Sequence, residues 1–155
     1  MGVVGLAAAV AASTVSDRRT WLALWLLAAV AASSIGAAAM HLKARRHRVT
    51  IWSASGRRFL QGFLPALVAG AVLTAALVRA GAFESLPAVW LLLYGAGVLA
   101  GATASVGVLT WLGIVLMALG GAASLVGQFG DLWLGAGFGL LHIVFGFIVA
   151  RRYGG

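Results

Sequence analysis

The residues able to carry chemistry are few and widely spaced. In 155 residues there are three acids, Asp17, Glu84 and Asp131, three histidines, His41, His47 and His142, and no cysteine. Without cysteine there are no disulfides, thiolate metal sites or thiol nucleophiles. No two carboxylates are close enough in sequence to form a local acid–base pair. A phosphate-binding loop, an HExxH helix and a serine-centred hydrolase elbow are all missing. The chain is therefore expected not to be an enzyme.

His142 is the exception to this blandness. It lies inside DLWLGAGFGLLHIVFGFIVA, whereas His41 and His47 lie in a polar interval. An ionisable side chain at membrane depth is a functional candidate. A neutral imidazole there could bind a haem iron or a chlorophyll magnesium, or relay a proton. A bis-histidine haem would need a second histidine at that depth, and none exists. The stronger expectation is an imidazole hydrogen-bonded to a neighbouring helix, with Tyr94 as its partner, because intramembrane polar groups commonly join helices. Asp131, opening the same run, reads as a helix N-cap.

The elements that must position these groups are apolar helices. The chain is 63% hydrophobic and 9% charged, with a mean hydropathy of +1.06, against about 25% charged residues in soluble domains. The pattern predicts an all-α, polytopic transmembrane bundle forming a single domain. Its spans are residues 2–16, 20–40, 59–79, 86–105, 106–126 and 131–150. The first is short for a hydrocarbon core of about 30 Å, so the count falls to five if residues 2–16 do not cross. Trp21 and Trp25, at the start of the second span, read as rings at the membrane interface.

Between the second and third of these spans lies HLKARRHRVTIWSASGRR, residues 41–58, with Lys43, Arg45, Arg46, Arg48, Arg57 and Arg58 and no acid. Such a loop contacts anionic lipid headgroups or the acidic surface of a partner. Within it, Val49, Ile51 and Trp52 form an apolar cluster able to dip into the headgroup layer. With six spans, this loop and both termini share a side holding eight Lys or Arg, against Arg18, Arg19 and Arg79 on the other. The excess places that side in the cytoplasm. If residues 2–16 do not cross, only the N-terminus changes sides. The Arg-over-Lys bias points to a bacterium with a GC-rich genome, and hence to a bacterial inner membrane.

Fifteen of the 22 glycines follow residue 90. Gly97 and Gly101 are four apart, as are Gly135 and Gly139, while Gly113, Gly120 and Gly127 recur at seven. These spacings put small residues on one helix face, where backbones pack closely. Ala32 with Gly36, and Ala66, Gly70 and Thr74, make similar stripes. The segments WLLLYGAGVLAGATASV (90–106) and DLWLGAGFGLLHIVFGFIVARRYGG (131–155) resemble the C-terminal half of a group of small, uncharacterised bacterial integral membrane proteins, with the likeness extending over residues 59–155. The resemblance implies a helical membrane bundle and no activity.

A coupled transporter needs charge bound within the membrane, and apart from His142 the spans carry none. The expected role is a non-catalytic accessory subunit that packs against other membrane proteins, as in a photosynthetic or respiratory assembly, or against itself. The alternative is a passive channel or transporter for a small neutral solute or lipid. Nucleic-acid binding is not expected, since Trp52 is the sole stacking aromatic in the basic loop and lipid phosphates account for its charge.

Overall fold

A computed structural model describes residues 1–46, 54–103 and 107–153. Among the described residues all regular structure is helical. Helix α1 is Gly2–Ala12, α2 is Arg18–Arg46 and α3 is Ala54–Arg79. A 3₁₀ turn, Phe83–Ser85, leads into α4, Leu86–Ala102, and α5 is Gly107–Val126. The last helix, α6, runs without a break through Gly130–Leu134, a π-helical stretch Gly135–Leu141, and His142–Tyr153. Helices α2 to α6 are long and apolar enough to cross a membrane. The chain is thus an all-α, multi-pass membrane protein, with five such helices among the described residues.

Helix α1 is the sixth, and it is short. Its 11 residues rise about 16 Å, roughly half of a hydrocarbon core. It runs beside the first half of α6, with Gly2 against Gly139 and Ile143 and Gly5 against Phe138. Its end at Ala12, 1% exposed, lies in the core cluster with Trp25 and Leu134. Asp17 then caps α2. The Thr20 hydroxyl donates to Oδ2 at 2.6 Å and the Thr20 backbone N–H at 2.8 Å. Together they hold the Asp17 carboxyl below its ordinary range.

Helix α4 is the centre of the bundle. Half of its apolar window is buried, 50% against 0% in α3 and 6% in α2, and it packs along both α3 and α5. The small-residue stripes explain how closely. A methyl group at Gly97 would meet Phe63 and Ala66 of α3, and one at Gly101 would meet Phe59. Gly95 of α4 and Gly113 of α5 face each other, each 2.9 Å from the other's carbonyl oxygen if given a Cβ. Gly135 and Gly139 take α1 instead, against Ala9 and Leu6. Gly113 and Gly120 both face α4, but Gly127 does not continue their row. It adopts φ 64° in the turn before α6, a conformation that glycine enters without penalty.

The largest departures from the expected boundaries are at two helix ends. Helix α2 continues past Met40 to Arg46, and α3 begins at Ala54, so most of residues 41–58 is helix rather than loop. Lys, Arg and Ala are good helix formers, and long cations reach the headgroups from a helix end. Pro65 consequently lies in the interior of α3, where it deprives the Gln61 carbonyl of its helical donor.

Candidate functional site

The ends of the helices sort the charges. Lys43, Arg45 and Arg46 end α2, Arg57 and Arg58 begin α3, and Arg151 and Arg152 end α6. Arg45, Arg57, Arg58, Arg151 and Arg152 are exposed. Arg48, with the apolar cluster Val49, Ile51 and Trp52, lies outside the described residues. At this basic end a groove of about 400 Å³ is lined by Trp111, Phe145, Phe147, Arg151 and Arg152, among others. The Arg151 guanidinium sits 4.4 Å over the Phe147 ring. All three acids belong to the opposite end, with Arg18, Arg19 and Arg79.

His142 is held from two sides. Its Nδ1 lies 2.9 Å from the Gly137 carbonyl oxygen and its Nε2 lies 3.1 Å from the Tyr94 hydroxyl. A carbonyl only accepts, so Nδ1 carries the proton, and the neutral ring accepts from the Tyr94 O–H at Nε2. The i→i+5 winding of the π stretch sets residue 142 over residue 137. Phe63 and Phe138 meet the Tyr94 ring edge-on, at 5.3 and 5.1 Å between centroids. Nε2 is the nitrogen that a haem iron or chlorophyll magnesium would take, and Tyr94 occupies it. The residues present therefore do not fit an axial ligand. They make a polar contact between α4 and α6. Among the described residues no three His, Asp or Glu side chains gather to hold a metal.

The second polar centre departs from the sequence reading. Asp131 does not cap its helix: Phe129, in the left-handed region at φ 59°, precedes α6 without a side-chain cap. The Asp131 carboxylate instead turns sideways. Its Oδ1 accepts from Trp21 Nε1 at 2.7 Å and from Trp25 Nε1 at 3.0 Å. One helical turn separates the two indoles on α2, which lets both reach one oxygen. Trp25 is 4% exposed, a core residue rather than an interfacial one. Trp21 stacks on Trp90 at 5.9 Å. Trp90 Nε1 donates to Thr74 Oγ1 at 2.8 Å, whose hydroxyl donates to the Gly70 carbonyl at 2.7 Å. One chain of contacts thus joins α6, α2, α4 and α3. The sequence did hold a signal for it. Two indole donors one turn apart in an apolar helix need an acceptor, and Asp131 is the acid that opens a span.

Beside this clamp a cavity of about 310 Å³ opens, lined by Arg18, Trp21, Phe83, Glu84, Gln128, Phe129, Asp131 and Trp133 together with smaller residues. Arg18 donates to the Gly81 carbonyl at 3.4 Å and lies 5.8 Å over the Phe83 ring. Among the described residues it forms no ion pair with Glu84 or Asp131, and the Glu84 carboxylate has no protein partner.

Compared with protein-family models, with curated proteins and with solved structures, the chain matches none.

Proposed function

We propose that this multi-pass membrane protein is a non-catalytic subunit that packs against other membrane protein subunits, in a larger assembly or with its own copies. The observation that carries the reading is the outer half of α2. Beyond Trp25 it has no buried residue among those described, and α2 and α3, although consecutive, do not pack along their lengths. Its exposed residues there include Ala31, Ser33, Ser34, Ala37, Ala38 and Ala39. Small and hydroxyl side chains are typical of helix–helix interfaces in lipid. Large apolar residues are exposed on both helices: Leu26, Leu27, Val30, Ile35 and Met40 on α2, and Leu60, Leu64, Leu67, Val68, Val72 and Leu73 on α3. The run of small residues from Ala31 to Ala39, interrupted only by Ile35, is what marks α2 for a partner helix.

Solubilised gently from its native membrane, the protein is expected to migrate with a partner on a native gel, identifiable by mass spectrometry. Ala38→Trp should release the partner and leave the thermal midpoint of the isolated protein unchanged, because Ala38 is exposed. Migration of the wild type as a lone monomer would overturn the reading.

The basic end faces the cytoplasm of a bacterial inner membrane in this proposal. Its eight Lys and Arg, against three on the other side, favour that orientation and contact with anionic headgroups. The groove at Arg151 and Arg152 offers rings and cations to such lipids. A cysteine replacing Ser55, an exposed residue at the start of α3, should resist a membrane-impermeant thiol reagent on intact cells and react after lysis. Labelling before lysis would invert the topology.

A further inference from the structure

We infer that the cavity beside the Asp131 clamp binds the headgroup of a zwitterionic phospholipid, with phosphatidylethanolamine the best fit. The cavity has the size of the smaller ligand sites, about 300 Å³. It lies where α2, α4 and α6 begin, at the level of Trp21 and Trp133, which is the depth of a headgroup. The charges in its wall are one guanidinium, Arg18, and two carboxylates, Glu84 and Asp131. Opposite charges that share a cavity and do not pair with each other suit a ligand carrying both signs. A phosphate would take Arg18, four of whose five N–H donors have no hydrogen-bond partner among the described residues. An ammonium would take the carboxylates.

The carboxylate of Asp131 is ready for that role. Its Oδ1 is fixed by two indole N–H groups, while Oδ2 has no protein partner among the described residues. An acceptor held in place before binding loses less freedom when the ligand arrives. Of the aromatic rings in the wall, Phe83 already carries Arg18 and Trp21 stacks on Trp90, which leaves Phe129 and Trp133 to attract a cation. With two acids against one base, the wall disfavours an anionic headgroup. The lipid, rather than a soluble zwitterion, is indicated by the neighbours of the lining residues. Leu125, Val126 and Leu132 are 89%, 49% and 68% exposed, and they give acyl chains an apolar path away from the headgroup.

The test is native mass spectrometry of the full chain released from mixed micelles containing equal phosphatidylethanolamine and phosphatidylglycerol. The wild type should retain phosphatidylethanolamine about tenfold better, and Glu84→Gln should lose about tenfold in retention. That is the loss expected from one charge-assisted hydrogen bond. Glu84 is exposed and makes no hydrogen bond or ion pair among the described residues, so the variant keeps the fold, and Arg18→Gln should show the same loss. Equal retention of the two lipids, or undiminished retention by Glu84→Gln, overturns the assignment. Displacement of the lipid by millimolar glycerophosphoethanolamine would reassign the cavity to a soluble zwitterion and overturn it equally.

Discussion

Gly113→Ala is expected to destabilise the bundle by about 1–3 kcal/mol, the usual cost of overpacking a close contact. Gly113→Leu should leave little folded protein. The added Cβ would lie 2.8 Å from the Leu99 backbone nitrogen and 2.9 Å from the Gly95 carbonyl oxygen. Both are backbone atoms of α4, so no rotamer change relieves them. Helix α4 cannot retreat, because its far side is already pressed on α3 through Gly97 and Gly101. Gly121 on the same helix supplies the control, since a Cβ there meets nothing within 4 Å. Gly121→Ala should be neutral or add up to about 1 kcal/mol through helix propensity. Thermal unfolding in one detergent compares the two. Equal midpoints for Gly113→Ala and Gly121→Ala would mean that α4 and α5 are not in backbone contact.

Asp131→Leu should cost about 2–4 kcal/mol, because it removes one acceptor and leaves two indole donors unsatisfied, at about 1–3 kcal/mol for a buried group. Trp25 contributes most of this, being almost fully buried. Trp21 is less enclosed and recovers part of its bond from water. Asp131→Asn keeps an acceptor at the same place, and should retain more than half of the stability that Asp131→Leu loses. The readouts are the unfolding midpoint and the near-ultraviolet circular dichroism of the indoles. An Asp131→Leu protein with unchanged values in both would show that Trp21 and Trp25 do not depend on that carboxylate.

The spans were legible in the sequence because hydropathy acts locally: a run of apolar residues long enough to cross declares itself without any partner. The ends of α2 and α3 were not. Polarity marks where a helix leaves the bilayer, and it does not mark where the helix stops, so Lys43 to Arg46 read as loop and form helix. Glycine spacing announced packing faces and could not name their partners. Gly97 and Gly101 found α3, Gly135 and Gly139 found α1, and Gly127 became a turn. Asp131 was misread for a related reason. An N-cap is inferred from the residues just after it, whereas the donors that claim this carboxylate lie 110 and 106 positions away. Tyr94 was identifiable as the partner of His142, because few hydroxyls sit at that depth. The π winding that aims the ring left no trace in the apolar pattern.

That winding also bears on how many residues the last helix can hold. A π stretch fits one more residue into a segment than an α-helix would hold. Removing a single residue between Gly135 and Leu141 would let the helix close into regular α turns, a gain in local backbone geometry. Everything from His142 onward would then keep nearly its place around the axis, because the extra residue is absorbed within the π stretch. The imidazole would stay on the side of Tyr94, and Arg151 on the side of the groove at the basic end. A deletion in a regular α stretch of the same helix has the opposite effect, since it swings the residues that follow by about 100° and shifts them by about 1.5 Å. Related chains that share the His142–Tyr94 contact should therefore differ in length across this stretch by one residue or none.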